Sequence, residues 1–313
     1  MTKAERKTIY DRIVFNIHPV SLLLSAGAVL AGLAASVVRG GVAVSPALLT
    51  LVFAVLIQIS GNLYYGLHRV RTSIEDNMVE QRDIDRYGYK IMRPLSQAFF
   101  ILAVTVAMPL FTYIRWWSIL YLGVVVLLEY FFFCGPRPLV NTRWSALVTF
   151  LLFGPVAVSG TAFVQNASFS HITPVVLYSI VSGLLAANGN IALQFLRRED
   201  KVRDGMTTLL DIRGAMVVRI GYLFNVLAVC AIMVLCPEEL GFASPWYAVV
   251  VGVFVIGSAV YVFRLMKQTS VEAAMKIRKY VIAQYVAIAL LILFIALFSL
   301  DTYGLSIFSP HHH

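Results

Sequence analysis

The polar stretch LRREDKVRDGMTT at residues 196–208 contains the side chains best suited to chemistry. Arg197 and Lys201 lie four residues apart, so a helix would project both from one face. Arg binds phosphate oxygens in a bidentate fork and Lys acts as a point charge, so this pair is a candidate anion site. Asp200 and Asp204 have the same spacing on a neighbouring face, and their carboxylates are candidate ligands for a divalent cation.

A second basic stretch, residues 66–94, follows another apolar segment. It contains two candidate anion-binding residues and two candidate acids, namely Arg69, Arg71, Glu75 and Asp76. The alternative interpretation of both stretches is a solvated run of charges that pair with one another, as charge runs usually do. Glu199 and Arg203 are placed to form such a pair in the first stretch.

Membrane helices are the elements that must position these residues. Hydrophobic residues make up 59% of the 313, charged residues only 13%, and the mean hydropathy is +0.81; a soluble domain carries about 25% charged residues. Because a spanning helix needs about 20 apolar residues, we predict an all-α integral membrane protein whose single domain covers residues 1–313. The nine predicted spans are 19–38, 46–65, 95–114, 117–134, 144–165, 174–195, 217–236, 246–266 and 280–300.

Positive charge predicts the orientation of these spans, since Lys and Arg accumulate on cytoplasmic loops. Nine spans place 22 of the 25 Lys and Arg residues on one side. We therefore predict a multi-pass protein of the cytoplasmic (inner) membrane, with the basic segment 1–18 inside and the C-terminus outside. The net charge of +9 is explained by this asymmetry, so no nucleic-acid partner is predicted.

Polar residues inside the predicted spans are expensive at membrane depth, so they usually face the bundle interior or a wet cavity. The second and sixth spans contain five of them, Gln58, Asn62, Asn188, Asn190 and Gln194, which predicts a shared polar cavity. The alternative is hydrogen bonding that only joins helices. Glu129 is the only carboxylate well inside a span; a buried partner, a protonated state or a functional role would each explain it.

The three cysteines indicate neither a disulfide framework nor a zinc site. Cys134, Cys230 and Cys236 lie in or at the ends of apolar segments and form no CxxC or Cys/His cluster, which favours packed, inert thiols. We interpret His311–His313 as the remnant of a purification tag and predict no cleavable signal peptide.

Four stretches, together with the predicted helix order, resemble the UbiA superfamily of intramembrane prenyltransferases. The stretches are GNLYYGLHRVRTSIED at 61–76, YFFFCGPRPL at 130–139, FLLFGPVAVSGTAFVQ at 150–165 and RREDKVRDGMTTLL at 197–210. The likeness covers roughly residues 15–300 and is greatest to the menaquinone branch, which prenylates dihydroxynaphthoate. It implies a nine-helix bundle with two Asp-rich motifs in the loops after helices two and six.

The departures from the family pattern fall on the principal metal ligands. In the family, Mg²⁺ ions bridge these aspartates to a prenyl diphosphate. The resemblance places Gly66 and Arg69 at the first motif's metal positions and Arg197 and Lys201 at the second's. Arg and Lys cannot ligate Mg²⁺, which requires hard oxygen ligands. The positions that still fit the pattern are Asn62, Leu63, Glu199, Asp200, Gly205 and Thr208.

Three functional hypotheses follow. The first is a divergent member that binds an isoprenoid phosphate or diphosphate lipid without metal at a cytoplasm-facing basic cavity, through Arg69, Arg71, Arg197, Lys201 and Asn62. The second is an active prenyltransferase that holds Mg²⁺ on displaced carboxylates, with Asp200 and Asp204 opposed by Glu75 or Asp76. The third is a noncatalytic structural or accessory subunit, surrounded by membrane lipids, with another membrane protein as its partner.

Overall fold

The computed structural model describes most of the helical bundle. The described residues are 13–14, 16–76, 79–114, 116–135, 138–165, 172–196, 209–242, 245–267 and several positions between 276 and 290. In segments 68–76 and 79–89 the description covers the backbone and not the side chains. Helices and turns account for all of the described secondary structure, as predicted for an all-α protein.

Eight long helices follow one another in the described part of the chain. They are α1 Pro19–Val38, α2 Val44–Asp76, α3 Val79–Ala107, α4 Trp117–Glu129, α5 Ser145–Gln165, α6 Thr173–Leu196, α7 Leu209–Leu235 and α8 Pro245–Leu265. Two of them contain or adjoin a π turn: α4 continues as Tyr130–Cys134, and α5 is π-helical at Leu152–Val156, around Pro155. Further helical residues occur between 276 and 290.

The apolar helices confirm a multi-pass membrane architecture. Six segments are long and apolar enough to cross a membrane: Ser21–Val38, Val44–Leu67, Lys90–Tyr113, Ser145–Gln165, Thr173–Ala192 and Asp211–Leu235. Two shorter apolar helices, Ile119–Cys134 and Val249–Leu265, coincide with the predicted spans 117–134 and 246–266. Most of the ninth predicted span, 280–300, lies outside the described residues. The count of nine spans and the orientation therefore remain predictions.

The prediction of a loop at residues 66–94 is wrong. Helix α2 continues to Asp76 and α3 begins at Val79, so the two helices form a hairpin that extends beyond the apolar segment. At 1.5 Å per residue, α2 runs about 14 Å past Leu67. The reason is propensity: Arg, Lys, Glu and Gln are good helix formers, so a charged segment can remain helical in water.

The second predicted loop, 196–216, is also shorter than expected. Helix α6 continues to Leu196, and α7 begins at Leu209 with a kink at Gly214, where φ is 79° and ψ is 157°. Glycine is the residue that adopts this backbone conformation without a steric cost from a Cβ atom. Residues 197–208 lie outside the described part of the chain.

Helix α6 lies at the centre of the bundle, in contact with α1, α5 and α7. The contact with α5 is close because glycines face each other: a Cβ at Gly154 would lie 2.8 Å from the Gly183 Cα and even closer to the Ser179 carbonyl oxygen. Small residues allow membrane helices to approach in this way. The resulting packing leaves space on the other side of α5, between α2 and α4.

Candidate functional site

Two adjoining cavities lie inside the bundle and share Gln58 and Phe153. We name the first the mouth cavity; it measures about 590 Å³, including space that is open to solvent, and its lining includes Ser21, Asn62, Tyr65, Phe132, Thr149 and Asn190. We name the second the tunnel; it measures about 870 Å³, again including open space, and its lining includes Ser25, Ala54, Leu110, Val125, Glu129 and Val164.

The mouth cavity brings together polar residues of the second and sixth predicted spans. Gln58 and Asn62 come from α2, and Asn190 comes from α6, so these three share one cavity as the sequence predicted. Asn188 does not line the mouth cavity. It donates to the Tyr222 carbonyl at 3.3 Å and accepts from Asn225 at 2.9 Å, so this residue joins α6 to α7.

A chain of hydrogen bonds holds one wall of the mouth cavity. Ser25 Oγ donates to Gln58 Oε1 at 3.1 Å, and Gln58 Nε2 donates to Asn62 Oδ1 at 3.1 Å. Asn62 Nδ2 in turn donates to the Ile17 carbonyl at 2.9 Å and to Ser21 Oγ at 3.0 Å. Both amide hydrogens of Asn62 are thus used within the protein, so Asn62 shapes the wall and would need to exchange a partner to reach an anion.

A second polar cluster holds Asn190, which lines the mouth cavity; its other members, Ser145 and Gln194, do not line that cavity, so Gln194 is not part of the predicted shared cavity. Ser145 Oγ donates to Asn190 Oδ1 at 2.9 Å, and Gln194 Nε2 donates to both Ser145 Oγ and Asn190 Oδ1 at 3.0 Å. These bonds orient the Asn190 amide so that its oxygen faces the cluster. The Asn190 nitrogen has no hydrogen-bond partner among the described residues. Sequence reasoning did not select Asn190 as a ligand-binding residue, because only the tertiary contacts distinguish it from its neighbours.

The predicted charged residues flank this cavity in the chain. Arg69, Arg71, Glu75 and Asp76 belong to the part of α2 beyond Asn62 whose side chains are not described. Arg197, Lys201, Asp200 and Asp204 lie outside the described residues. Helix α6 ends at Leu196, which is about 9 Å beyond Asn190 at the helical rise of 1.5 Å per residue. Both charged segments therefore follow, in the chain, the mouth-cavity residues of α2 and α6.

The described residues do not fit a Mg²⁺ site. Gly66 is buried, and a Cβ there would lie 2.6 Å from Oδ1 and 2.7 Å from Cγ of Asn16, so the Asn16 side chain would have to move to admit a carboxylate at position 66. Within the described ranges, no three His, Cys, Asp or Glu side chains come together. Mg²⁺ needs several oxygen ligands at about 2.0–2.1 Å, which these residues do not supply.

The tunnel is apolar over most of its surface. The hydroxyl groups in its wall already have partners within the protein. Thr50 donates to the Pro46 carbonyl and Thr161 to the Ala157 carbonyl, both at 2.7 Å. Ser25 donates to Gln58, and the Tyr121 hydroxyl is hydrogen-bonded to Ser159 Oγ at 3.0 Å. Aliphatic and aromatic side chains of α2, α4 and α5 complete the lining. A cavity with polar side chains in its walls, next to an apolar tunnel, suits an amphiphile with a polar head and an apolar tail.

Comparison with solved structures places this architecture among known membrane proteins. No family profile matches the sequence, and the comparison with curated proteins found no match. The fold resembles that of a UbiA homolog from Aeropyrum pernix K1, with a TM-score of 0.64, 14% identity and coverage of 89% of this chain and 98% of the other.

Two further solved structures have a similar fold. A UbiA homolog from Archaeoglobus fulgidus bound to GPP and Mg²⁺ has a TM-score of 0.61 and 12% identity, covering 90% of this chain and 99% of the other. A digeranylgeranylglyceryl phosphate synthase has a TM-score of 0.60 and 16% identity, covering 92% and 99%. Identities this low concern the fold alone. The chain thus has the fold of the UbiA-family intramembrane prenyltransferases.

Proposed function

We propose that the protein binds an isoprenoid phosphate or diphosphate lipid, with the isoprenoid tail in the tunnel and the anionic head at the mouth cavity. The observation that carries this proposal is that a cavity with polar side chains in its walls adjoins an apolar tunnel in a UbiA-type fold, with Gln58 and Phe153 common to both linings. The Archaeoglobus fulgidus homolog, which is bound to GPP, supports the ligand class.

In this proposal, basic side chains hold the head in place of metal ions. Arg69 and Arg71 on α2, with Arg197 and Lys201 after α6, supply the positive charge, while Asn62 and Asn190 form the walls beneath them. Guanidinium and ammonium groups stabilise phosphoryl oxygens through charge-assisted hydrogen bonds. The mouth cavity then faces the cytoplasm, because Lys and Arg concentrate on that side of the cytoplasmic membrane.

A second candidate function is prenyl transfer to an aromatic acceptor such as dihydroxynaphthoate, the reaction of the menaquinone branch. It is favoured by the enzymatic identity of one structural neighbour, the digeranylgeranylglyceryl phosphate synthase. In this case Asp200 and Asp204, opposed by Glu75 or Asp76, would hold the Mg²⁺. The third candidate, a structural or accessory subunit without a lipid ligand, is an outcome of the same test.

The test is calorimetric titration of the full chain in nanodiscs with geranylgeranyl diphosphate, in excess EDTA and in Mg²⁺. We expect equal affinity in both buffers and an affinity about 10- to 100-fold weaker in Arg197→Asp, since a hydrogen bond to a charged group contributes about 1.5–3 kcal/mol. Arg264→Asp is the matched control, because Arg264 is exposed at the end of α8.

Other outcomes identify the alternatives. Binding that requires Mg²⁺, together with transfer of the prenyl group to an aromatic acceptor, would establish the second candidate. Absence of binding in either buffer, with a protein that co-purifies in stoichiometric amount, would establish the third. Either result would overturn the proposal of a metal-free lipid site.

A further inference from the structure

A buried carboxyl group is present in the tunnel without a partner. Glu129 is the last residue of α4, only 6% of its surface is exposed, and it contributes to the tunnel lining. Its Oε2 atom is buried and has no hydrogen-bond partner among the described residues. Carboxyl groups at membrane depth are costly unless they are paired, and they mark functional sites by default.

The fold makes room for this carboxyl group. Gly61 of α2 faces it: a Cβ at position 61 would lie 2.7 Å from Glu129 Oε2 and 2.6 Å from the Phe133 ring. A larger residue would therefore push the carboxyl group out of its position. Immediately after Glu129 the helix widens into the π turn Tyr130–Cys134, and such turns occur frequently at functional sites.

The neighbouring polar groups do not satisfy Glu129. Ser25 donates to Gln58, and the hydroxyls of Thr50 and Thr161 donate to main-chain carbonyls. The tunnel lining contains no Lys, Arg or His among the residues that the structure describes. An ion pair within the described tunnel wall is thus excluded. Oε2 is buried against Gly61, so the other carboxyl oxygen, Oε1, is the atom of Glu129 that a ligand in the tunnel would meet.

The position of Glu129 indicates which part of a ligand it meets. Gly61 adjoins Asn62 of the mouth cavity and is one helical turn from Gln58, which lines both cavities. Glu129 therefore lies near the junction of the polar mouth and the apolar tunnel. A carboxyl group there can accept a hydrogen bond from a neutral hydroxyl, which costs far less to bring into an apolar space than an ammonium ion does.

We propose that Glu129 binds a hydroxyl group of a ligand at the entrance of the tunnel. The inference rests on the proposed function, because it assumes that the tunnel accepts an isoprenoid tail. Two sources share this chemistry: an isoprenoid alcohol, whose hydroxyl replaces the phosphate, and a phenol that binds as a second ligand beside the tail.

The experiment compares ligands that differ only in the hydrogen-bond donor. The full chain in nanodiscs is titrated with geranylgeraniol and its methyl ether, and separately with 2-naphthol and its methyl ether. We expect the wild type to prefer the hydroxyl compound about tenfold in one pair, as a single well-formed hydrogen bond would give. The pair that shows the preference identifies the source of the hydroxyl.

Substitutions test whether the preference for the hydroxyl compound over its ether depends on the Glu129 carboxyl group. Glu129→Leu should remove the preference and leave the affinity for the ether unchanged, whereas Glu129→Gln should keep part of it because the amide oxygen still accepts. Gly61→Ala should reduce it by displacing the carboxyl group, which provides a second variant if Glu129→Leu does not fold. Glu238→Gln is the control, since Glu238 is an exposed carboxylate outside the tunnel.

Two results would overturn this inference: equal affinity of the wild type for both members of both pairs, or an unchanged preference in Glu129→Leu. Failure of the proposed function is distinguishable from either. If geranylgeranyl diphosphate does not bind but the hydroxyl preference persists, the anionic head site is wrong and the Glu129 site stands. If the diphosphate binds and no preference exists, only the Glu129 site is wrong.

Discussion

Shortening the tunnel should select against long isoprenoid tails. Thr50, Ala54 and Gln58 are spaced four residues apart on α2 and all line the tunnel. They cover about 12 Å of its length at 1.5 Å per residue. Ala54→Phe would place a ring midway along this row. About half of the tunnel length beyond Gln58 would then be closed to an isoprenoid tail.

The size of the expected loss of affinity is set by steric exclusion of the tail, not by the transfer of apolar surface out of water. An isoprenoid tail leaves a bilayer that is as apolar as the tunnel, so its transfer contributes little to affinity. Forcing extra atoms into an occupied apolar space costs about 1–3 kcal/mol. The affinity of a tail that reaches past position 54 should therefore fall about 5- to 150-fold.

Competition binding with geranyl diphosphate and geranylgeranyl diphosphate measures this effect. In Ala54→Phe the longer compound should lose affinity and the shorter should not, because its tail ends before the new ring. Ala98→Phe is the matched control, since Ala98 is exposed on α3. Equal loss for both lengths, or no loss for either, would refute the placement of the tail in the tunnel.

Two further predictions concern the packing that shapes the site. Gly154→Ala should lower the free energy of unfolding by about 1–3 kcal/mol, because the new methyl group would meet the Gly183 backbone. Gly221→Ala is the control, because a methyl group at position 221 has open space around it. Thermal unfolding in detergent compares the two variants. Gly66→Asp alone should not create Mg²⁺-dependent binding of geranylgeranyl diphosphate, because one carboxylate does not supply the several oxygen ligands that Mg²⁺ needs. The variant should be less stable than Gly66→Asp combined with Asn16→Ala, because the Asn16 side chain must otherwise move. Equal stability of the single and double variants would contradict this reasoning.

Hydropathy predicted the membrane helices well because the physical requirement is simple. The first span was predicted at 19–38, and α1 is Pro19–Val38. The same reasoning could not find the part of α2 beyond Leu67 or the start of α3, because hydropathy detects only the portion of a helix that lies in lipid. Charged residues there were interpreted as a loop although their helix propensity is high.

The candidate site was predictable in part. The cost of polar groups in a membrane pointed to Gln58, Asn62 and Asn190, and these residues do share a cavity. The tunnel was not predictable, because it results from the packing of several helices, including the π turn of α5 at Leu152–Val156. Glu129 was conspicuous as a carboxylate within a span, yet its relation to Gly61 depends on tertiary contacts. The roles of the charged side chains on both flanking segments remain predictions.

A structure of the full chain with geranylgeranyl diphosphate and Mn²⁺, solved with anomalous data, tests the central claim most directly. We expect diphosphate density beside Arg197 and Lys201, an isoprenoid tail in the tunnel, and no anomalous peak at the head. Paired Mn²⁺ peaks coordinated by Asp200 and Asp204 would contradict a head site that works through basic side chains alone.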